Sequence, residues 1–443
     1  MMAASKTFGG GIHPPYRKDP TKDKPIVAAT PPEVVVIPLH QHTGAPCQPL
    51  VKVKDQVQLG QRIGDSEAFI AAPVHASVSG KVIKVEARPH PALGTAHAVV
   101  IESDGQDTPA PAIEPHGDLV DLGPEQLREL IRAAGIVGLG GAAFPTAVKV
   151  SPPADKPIEY LVLNGAECEP YLTADHRIML EQTESVVYGL RALIKACGAT
   201  QGLIAVEDNK PDAIAALTEA VKDQPGIAVT VLDTKYPQGS EKQLVWACLK
   251  REIPSGGLPL DVGVVVNNVG TAVAVADAVQ RGTPLYERVV TVTGSAVATP
   301  QNLRVRLGTS FGELIEQCGG LVGQVGKVIN GGPMMGIAQP TVDVPVVKGT
   351  SGILCLSRAE SLREEPVACV KCGRCVDVCP VGLTPLWIAA HAEYGNHEEA
   401  ERLGAEDCVE CGSCAYTCPS RRRLVHAIRL SKGEIAARRR LQA

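Results

Sequence analysis

Eight of the fourteen cysteines lie near the C-terminus in two copies of one spacing. Each copy reads Cys-x2-Cys-x2-Cys-x3-Cys-Pro, the first beginning at Cys369 and the second at Cys408. Three thiolates two residues apart can hold three corners of a [4Fe–4S] cubane, and where two such runs occur the fourth cysteine ligates the other cluster. The spacing predicts two clusters with exchanged fourth ligands: Cys369, Cys372, Cys375 and Cys418 for cluster 1, and Cys408, Cys411, Cys414 and Cys379 for cluster 2.

A pair of zinc sites is the alternative chemistry for this cysteine block. Structural zinc is commonly held by Cys-x2-Cys pairs, and it needs neither the third cysteine two residues on nor the crossed fourth. Two identical copies of the longer spacing therefore favour iron–sulfur clusters. The other six cysteines stand singly. We interpret five of them as small buried apolar residues and leave Cys168, which lies inside a motif, without a role.

A glycine-rich loop, GLGGAAFPTAVK at residues 138–149, is the second group that could do chemistry. Gly138, Gly140 and Gly141 let backbone N–H groups approach an anion closely, and Lys149 adds a full positive charge, so the loop suits a phosphate. The loop also fits the G-x-G-x-x-A dinucleotide fingerprint, but that fingerprint must follow a strand. Here a helix is predicted before the loop and a strand after it, so we reject the ordinary Rossmann interpretation.

Polar residues also follow two predicted strands. They are Asn164, Glu167 and Glu169 after residues 158–163, and Asn267 and Asn268 after residues 264–266. The carboxyl ends of parallel strands are where open α/β sheets bind ligands. Asparagine amides there can donate and accept toward a heterocycle edge, and the glutamates can accept from ribose hydroxyls or an amide. The alternative for the segment NGAECEP is a solvated turn with a capping role, and the asparagine pair alone is weak evidence.

These groups need strands and helices to hold them. Short β-branched runs broken by Gly and Pro between residues 34 and 102 include two similar stretches, VKVKDQVQLGQRIG and APVHASVSGKVIKVE. They look like a biotinyl/lipoyl-carrier sandwich, but the modified lysine of a carrier is not evident, so we interpret the similarity as structural. A linker rich in Pro, Gly and Asp is expected at residues 104–123.

Beyond the linker, helices and strands alternate, which predicts an α/β domain with a largely parallel sheet. We expect helices at residues 124–134, 175–196, 211–221 and 241–249, and strands at residues 158–163, 203–206, 227–232 and 264–266. A smaller β-rich unit is expected at residues 289–330. The cysteine block follows from residue 365 and ends in a basic tail that we predict to be helical.

The composition excludes several classes of protein. Apolar residues make up 44 % and charged residues 21 %, as in soluble globular domains. Aromatic residues are only 3 % and the net charge is −5, so we expect no nucleic-acid partner. The N-terminus lacks the features of a signal peptide, and residues 262–279 are too polar and too short for a confident membrane span. Clustered thiols favour a reducing, cytosol-facing location.

Three of these segments, GLGGAAFPTAVK, LNGAECEP and VVNNVGT, resemble in order and spacing the flavin- and NADH-binding subunit of respiratory complex I. With a sandwich before them and a doubled cluster motif after them, residues 7–430 resemble the C subunit of the Rnf (Rsx) ion-translocating electron transport complex. The segments FGGGIHPPYRK and YPQGSEKQLV fit as well. The resemblance implies FMN phosphate at Gly138, Gly140, Gly141 and Lys149, and further cofactor contacts at Asn164, Glu167, Glu169, Asn267, Asn268 and Thr271. The family's aspartate is Ala166 here, which puts some nucleotide contacts in doubt.

The resemblance also implies a multidomain α/β fold, with a lipoyl-like β-sandwich, a Rossmann-like flavin/NADH domain, a β-grasp (SLBB-like) unit and a two-cluster ferredoxin-like domain. The expected boundaries are 1–30 for an N-terminal arm, 31–105 for the barrel-sandwich, 106–285 for the FMN/NADH-binding domain, 286–350 for the β-grasp unit, 360–430 for the two [4Fe–4S] motifs and 431–443 for the basic tail.

In such a family the chain would be a peripheral subunit of a membrane complex that couples electron transfer between NADH and ferredoxin-type carriers to Na⁺ or H⁺ movement. NADH would give hydride to FMN, and single electrons would leave through the two clusters. No side chain is assigned a catalytic role. The expected partners are integral membrane subunits and a ferredoxin-type subunit, on the cytoplasmic side of the inner membrane. The alternatives are a soluble cobalamin reductase-like flavo-iron–sulfur protein, and a cluster relay or scaffold without catalysis.

Overall fold

The computed structural model describes residues 6–111, 116, 118–362 and 365–442. In this part of the chain four β-sheets precede a helical C-terminal unit. The expected linker at residues 104–123 lies partly outside the described residues, as do the first five residues of the N-terminal arm and the last residue of the tail. No helix among the described residues is long and apolar enough to cross a membrane.

The N-terminal unit is a sandwich of two small antiparallel sheets. After β1 (Ile26–Ala28), its strands are β2 (Val34–Pro38), β3 (Gln48–Pro49), β4 (Gln56–Val57), β5 (Arg62–Asp65), β6 (Val74–His75), β7 (Gly80–His90) and β8 (Gly94–Ser103). The sheet orders are β2-β8-β7-β4 and β3-β5-β6. Alternate residues of β2, Val35 and Ile37, are fully buried between the sheets. The predicted sandwich is confirmed.

The second unit is an α/β domain. Its elements are α1 (Pro124–Ala133), α2 (Thr146–Lys149), β9 (Tyr160–Gly165), α3 (Ala174–Glu181), α4 (Thr183–Cys197), β10 (Gln201–Glu207), α5 (Pro211–Val221), β11 (Ile227–Leu232), α6 (Glu241–Leu249), β12 (Val264–Asn268) and α7 (Val269–Arg281). The sheet is parallel with the order β11-β10-β9-β12. In its register Asn164 lies opposite Asn268, so the two predicted polar strand ends are neighbours.

Local sequence explains four of the helix ends in this domain. Pro124 and Pro211 start α1 and α5 in the first turn, and Gly198 and Gly282 end α4 and α7 in the left-handed conformation. The single helix expected at residues 175–196 is wrong, because the chain breaks at Gln182 into α3 and α4.

The third unit is a six-stranded mixed sheet. Its remaining elements are β13 (Glu287–Thr293), β14 (Gln301–Arg306), α8 (Phe311–Gln317), β15 (Val325–Asn330), β16 (Ile337–Gln339), β17 (Gly352–Ser357) and α9 (Arg358–Ser361). The order is β1-β14-β13-β17-β15-β16, so the edge strand β1 comes from the N-terminal arm. Both β1 and β17 lie outside the expected range of residues 286–350. The loop between β15 and β16 contacts both Glu169 of the α/β domain and, through Met334, the cysteine block beside Cys411.

The cysteine block is helical between its loops. Its helices are α10 (Arg374–Asp377), α11 (Pro385–Glu393), α12 (His397–Arg402), α13 (Ser413–Tyr416) and α14 (Leu424–Gln442). The expected basic tail is the second half of α14, where Ile435 is fully buried against the block. Arg438 and Arg439 of this half form ion pairs with Glu398, Glu401 and Glu406. The charges of these two arginines are therefore paired with carboxylates of the same unit.

Candidate functional site

The glycine loop at residues 138–149 runs from α1 to the end of α2, across the carboxyl edge of the parallel sheet. The Gly138 N–H donates to the carbonyl of Phe144 at 2.9 Å and closes the loop. Gly141 and Ala143 both have positive φ, 115° and 50°. A Cβ added to Gly141 would meet no atom within 4 Å, so the loop faces open space there.

The backbone N–H groups at the tip of this loop are free. Among the described residues, no protein acceptor binds the N–H groups of Gly140, Gly141, Ala142 or Ala143. Several consecutive unpaired N–H groups in a turn with alternating backbone conformations form a cavity that binds anions. The tip is also exposed, so an anion could reach it from solvent. These observations fit the phosphate of FMN.

Lys149 ends α2, and its ammonium pairs with the Glu241 carboxylate at 2.7 Å. About a quarter of the lysine side chain, 28 %, stays exposed. An ammonium has three donors, so the pair leaves capacity for a second anionic partner. Glu241 starts α6, in the segment YPQGSEKQLV, and no sequence pattern predicted a role for it.

Two buried side chains near the loop carry polar atoms without partners in the described part of the chain. Both amide atoms of Asn267 are unpaired although the residue is 3 % exposed. The hydroxyl of Thr146, which starts α2, is likewise unpaired in a fully buried residue. Buried polar groups nearly always have a hydrogen-bond partner, so these atoms are available to a bound ligand. Thr146 was not predicted as a site residue, although it lies inside the glycine motif.

Several other predicted residues bond to the protein itself. Asn164 donates to the Gly239 carbonyl at 2.8 Å and accepts from the Ala166 N–H. Asn268 caps α7 through the Gly270 N–H at 2.8 Å. The buried Thr271 hydroxyl accepts from the Leu139 N–H at 2.9 Å and so ties α7 to the glycine loop. These side chains hold the backbone that surrounds the loop.

The two predicted glutamates also accept from backbone N–H groups. Glu167 accepts from Asp175 at 2.7 Å and from His176 at 3.2 Å, so it caps α3. Glu169 accepts from Met334 at 3.0 Å and from Met335 at 2.8 Å, in the loop between β15 and β16. Burial raises the pKa of Glu169 to about 7, and the two N–H groups and Lys18 oppose that rise.

A buried carboxylate shares this region with Glu167. Asp175 in α3 accepts from the Asn268 amide at 2.7 Å. Burial raises the pKa of Asp175, and the neighbouring Glu167 raises it further. The capping role, which is the alternative for the segment NGAECEP, is therefore present for Glu167, while Glu169 connects two domains.

The cysteine thiols gather in two groups. Burial raises the pKa of Cys375, and the nearby thiols of Cys418 and Cys372 raise it further. Burial likewise raises the pKa of Cys411, and its thiol neighbour across the block is Cys379. Each run of three therefore has the fourth cysteine of the other run beside it, which is the neighbourhood that the exchanged ligand sets require.

Backbone donors surround the cysteine sulfurs. In the described part of the chain no group of three or more His, Cys, Asp or Glu side chains is placed to hold a single metal ion. Backbone N–H groups of Lys371, Leu383 and Glu410 point at the sulfurs of Cys369, Cys379 and Cys408, at 3.3 to 3.4 Å. Such bonds stabilise thiolates around iron.

Cluster 2 cysteines face the α/β domain through a buried contact that we call the junction. It consists of Ile12, Cys168, Tyr236, Met334, Val378, Val409 and Cys411. The fully buried Tyr236 donates its hydroxyl to the Cys411 carbonyl at 2.7 Å. On the other side, the sulfur of Cys168 accepts from the Gly239 N–H at 3.3 Å, next to Asn164. Tyr236 begins the segment YPQGSEKQLV, but the sequence assigned no role to this tyrosine.

The cysteines of cluster 1 include two exposed ones. Cys369 and Cys372 are exposed, and the neighbouring Val367 and Val370 are 59 % and 66 % exposed. None of the four cysteines of cluster 2 is exposed. The two groups thus differ in access to solvent, which is greater for cluster 1.

Four known domain families match the chain in succession. They are the RnfC barrel sandwich hybrid domain at residues 6–106, the Nuo51 FMN-binding domain at 131–277, the SLBB domain at 289–338 and the 4Fe-4S dicluster domain at 368–421. The predicted FMN and the two predicted [4Fe–4S] clusters are confirmed at the level of the domains that hold them. The predicted fold class is confirmed as well.

Two solved structures share the fold. NAD⁺-reducing [NiFe]-hydrogenase in the H2-reduced state matches with a TM-score of 0.50 and 19 % identity over 74 % of this chain and 69 % of that chain. The air-oxidized state matches with a TM-score of 0.50 and 21 % identity over 71 % of this chain and 64 % of that chain.

Relatives that match over nearly the whole chain are more similar in sequence than these solved structures. The C subunit of the Na⁺-translocating ferredoxin:NAD⁺ oxidoreductase complex of Acetobacterium woodii is 53 % identical over 440 residues, 99 % of either chain. The C subunit of the proton-translocating ferredoxin:NAD⁺ oxidoreductase complex of Clostridium ljungdahlii is 46 % identical over 97 % of this chain and 94 % of its own. The C subunit of the ion-translocating oxidoreductase complex of Rhodobacter capsulatus is 42 % identical over 98 % of this chain and 84 % of its own. The chain therefore belongs to the family of C subunits of ion-translocating oxidoreductase complexes.

Proposed function

We propose that this chain is the NAD-linked redox subunit of a membrane complex that transfers electrons between NADH and a ferredoxin-type carrier and couples the transfer to ion movement. The junction is the observation that carries this proposal. It brings Cys168, from the polar segment after β9, and Tyr236, from the loop before α6, into one contact with Cys411 of cluster 2. The relatives named for ferredoxin:NAD⁺ oxidoreductase complexes over their full length support the same function.

FMN would accept two electrons from NADH as hydride and pass them on one at a time. We propose that its phosphate binds the free N–H groups of residues 140–143, with Lys149 as the cationic partner. Gly138 closes this loop, and Gly140 and Gly141 leave room for the ligand. Asn267, whose amide is buried and unpaired, would bond to a polar edge of the bound cofactor.

The other predicted cofactor residues act in this proposal mainly by positioning. Asn164 fixes the Gly239 backbone, and Thr271 fixes the glycine loop. Asn268 and Glu167 cap the two helices that begin at the sheet edge, and Glu169 holds the loop that carries Met334. NADH would enter from the exposed side of the loop, where Gly140, Gly141 and Ala142 face solvent.

The two clusters would act in a fixed order. Cluster 2, on Cys408, Cys411, Cys414 and Cys379, is the inner one, because Cys411 belongs to the junction. Cluster 1, on Cys369, Cys372, Cys375 and Cys418, is the outer one, because two of its cysteines are exposed. Tunnelling rates fall steeply with distance, so an exposed cluster is where another protein can exchange electrons.

The outer face around cluster 1 is suited to a protein partner. Val367 and Val370 expose apolar surface, and Lys371, Arg374 and Arg423 are exposed and positively charged. This positive surface contrasts with the net charge of −5 for the whole chain. We propose that a ferredoxin-type subunit docks there, and that integral membrane subunits hold the complex at the cytoplasmic side of the inner membrane.

Anaerobic purification followed by cofactor analysis tests this function. We expect four iron and four sulfide for each of two clusters, about one FMN per chain, and partial bleaching of the visible spectrum on addition of NADH. Co-purification with integral membrane subunits would support the assembly. A chain that carries full iron but neither retains nor binds FMN would rule out the proposed redox function.

A further inference from the structure

The glycine loop is held from behind by the barrel-sandwich domain. Thr43 lies in the loop between β2 and β3 of that domain. Its hydroxyl donates to the Ala142 carbonyl at 2.8 Å, and its backbone N–H donates to the Ala143 carbonyl at 3.1 Å. The third unit adds one more donor, since the buried Arg288 guanidinium binds the Leu139 carbonyl at 3.3 Å. Three carbonyls of one short loop are therefore fixed by other units.

These bonds decide where the free N–H groups point. In a planar trans peptide, the carbonyl of one residue and the N–H of the next point in opposite directions. Fixing the Ala142 carbonyl toward Thr43 turns the Ala143 N–H to the opposite side. Fixing the Leu139 carbonyl toward Arg288 likewise turns the Gly140 N–H away from Arg288. The supporting units thus aim the N–H groups at the open side of the loop.

The tip of the loop has little packing of its own. Gly140, Gly141 and Ala142 are exposed, and a Cβ added at Gly141 would meet no atom within 4 Å, while Leu139 and Ala143 are buried on either side of the tip. Positive φ at Gly141 and Ala143 is a conformation that residues such as alanine leave readily when nothing holds them. The two bonds from Thr43 lie on either side of Ala143, where the backbone is most strained.

We propose that the barrel-sandwich domain serves as a fixed support for the flavin loop, and that Thr43 is a positioning residue that sets the affinity for FMN. This inference rests on the proposed function, because it assumes that the loop binds the FMN phosphate. This structural role of the sandwich does not require the modified lysine that a biotinyl/lipoyl carrier has. The support acts before the ligand arrives, so its loss should reduce affinity without removing any ligand contact.

The test is a titration of flavin-stripped, cluster-loaded protein with FMN, in which binding is measured by the quenching of flavin fluorescence. We expect Thr43→Val, which keeps the shape but loses the hydroxyl, to weaken FMN binding about three- to tenfold, the range expected for one hydrogen bond. Thr43→Ala should weaken it at least as much. Thr43→Ser restores the donor and should bind within about twofold of wild type. Thr95→Val, at an exposed threonine of β8 in the same domain, is the matched control.

Iron content and melting temperature should stay at wild-type values in all four variants. If Thr43→Val and Thr43→Ala bind FMN as tightly as wild type, the support role is wrong, and the assignment of the loop as the flavin site is unaffected. If Thr43→Ser is as weak as Thr43→Val, the hydroxyl is not the cause and the inference also fails. Failure of wild-type protein to bind FMN would instead refute the proposed function.

Discussion

The polar residues at the sheet edge divide into side chains with unpaired polar atoms and side chains that are bonded within the protein. Asn267 and Thr146 are buried with unpaired polar atoms. Asn164 and Thr271, which come from the same motifs, are bonded to backbone groups. Since a bonded amide or hydroxyl gives up an existing partner to reach a ligand, we expect the unpaired residues to contribute more to cofactor affinity.

Replacing Lys149 by alanine should weaken FMN binding at least about tenfold, as expected for loss of a charged hydrogen-bond donor. Iron content should not change, because Lys149 lies outside the cluster block. Lys156→Ala is the control, since Lys156 forms a comparable ion pair, with Asp261 at 2.6 Å, away from the loop. Flavin fluorescence titration and iron analysis measure the two effects. Equal loss of flavin and iron in Lys149→Ala would contradict the site assignment.

Glu169 should make stability depend on pH. Burial raises its pKa from 4.5 to about 7 in the folded protein, so the folded state binds the proton more tightly than the unfolded chain. Its contribution to stability is therefore full below about pH 4.5 and is lost as the pH rises through about 7.

We expect the melting temperature of wild type, measured anaerobically, to fall more steeply over that pH range than the melting temperature of Glu169→Gln. Glu125→Gln serves as the control, because the side chain of Glu125 is 79 % exposed. Parallel curves for wild type and Glu169→Gln would show that Glu169 keeps an ordinary pKa.

At the scale of elements, the segment between β11 and α6 lies between the proposed flavin site and the cysteines of cluster 2. Tyr236 and Gly239 lie in this segment and contact Cys411 and Asn164, and Glu241, the first residue of α6, contacts Lys149. This short stretch thus contacts a cluster cysteine, a strand end and the cationic residue of the glycine motif. Movement of this segment would change the surroundings of both proposed cofactor sites.

Tyr236→Phe removes the bond to the Cys411 carbonyl and leaves a buried acceptor unpaired. We expect a loss of stability of about 1–3 kcal/mol and a change in the EPR spectrum of reduced cluster 2. Tyr394→Phe, at a tyrosine that is 90 % exposed, is the control and should change neither. An unchanged melting temperature together with an unchanged spectrum would contradict the role given to the junction.

The exchanged ligand sets can be tested by comparing pairs of variants. Because Cys379 is placed in cluster 2, the EPR spectrum of Cys379→Ser should resemble that of Cys411→Ser. The spectrum of Cys418→Ser should resemble that of Cys375→Ser for the same reason. If Cys379→Ser matched Cys375→Ser instead, each run would bind its own cluster and the crossed assignment would be wrong.

Elements with a strong local pattern were predictable from the sequence. Pro211–Val221, Ile227–Leu232 and Glu241–Leu249 match the predicted ranges residue for residue, because proline starts and apolar periodicity mark them. The break at Gln182 was not predictable, since apolar residues continue at helical spacing on both sides of it. The pairing of β1 with β14 joins residues far apart in sequence, and no local pattern reports such a pairing.

The candidate site shows the same division. Gly140, Lys149 and the eight cysteines have spacings that reflect a specific chemistry, so the sequence could nominate them as site residues. Thr43 and Tyr236 act through contacts with distant parts of the chain, and no sequence pattern assigned a role to either residue. Residues that position a site from another domain can be identified only from the tertiary structure.

At the scale of the whole molecule, four units are arranged around one path. The sandwich and the third unit hold the glycine loop from behind, and the junction joins the α/β domain to the enclosed cluster cysteines. Cys369 and Cys372 of cluster 1 are exposed. Under the proposed function, NADH and a protein partner would therefore reach the molecule at separate places.

The central claim is that NADH reaches the clusters only through flavin held at the glycine loop. It is tested most directly by EPR of the anaerobic protein mixed with excess NADH, before FMN removal, after removal and after FMN is added back. Dithionite should reduce the clusters in all three samples and serves as the control. We predict reduced-cluster signals with NADH in the first and third samples and none in the second. Equal reduction by NADH without FMN, or no reduction with it, would contradict the account.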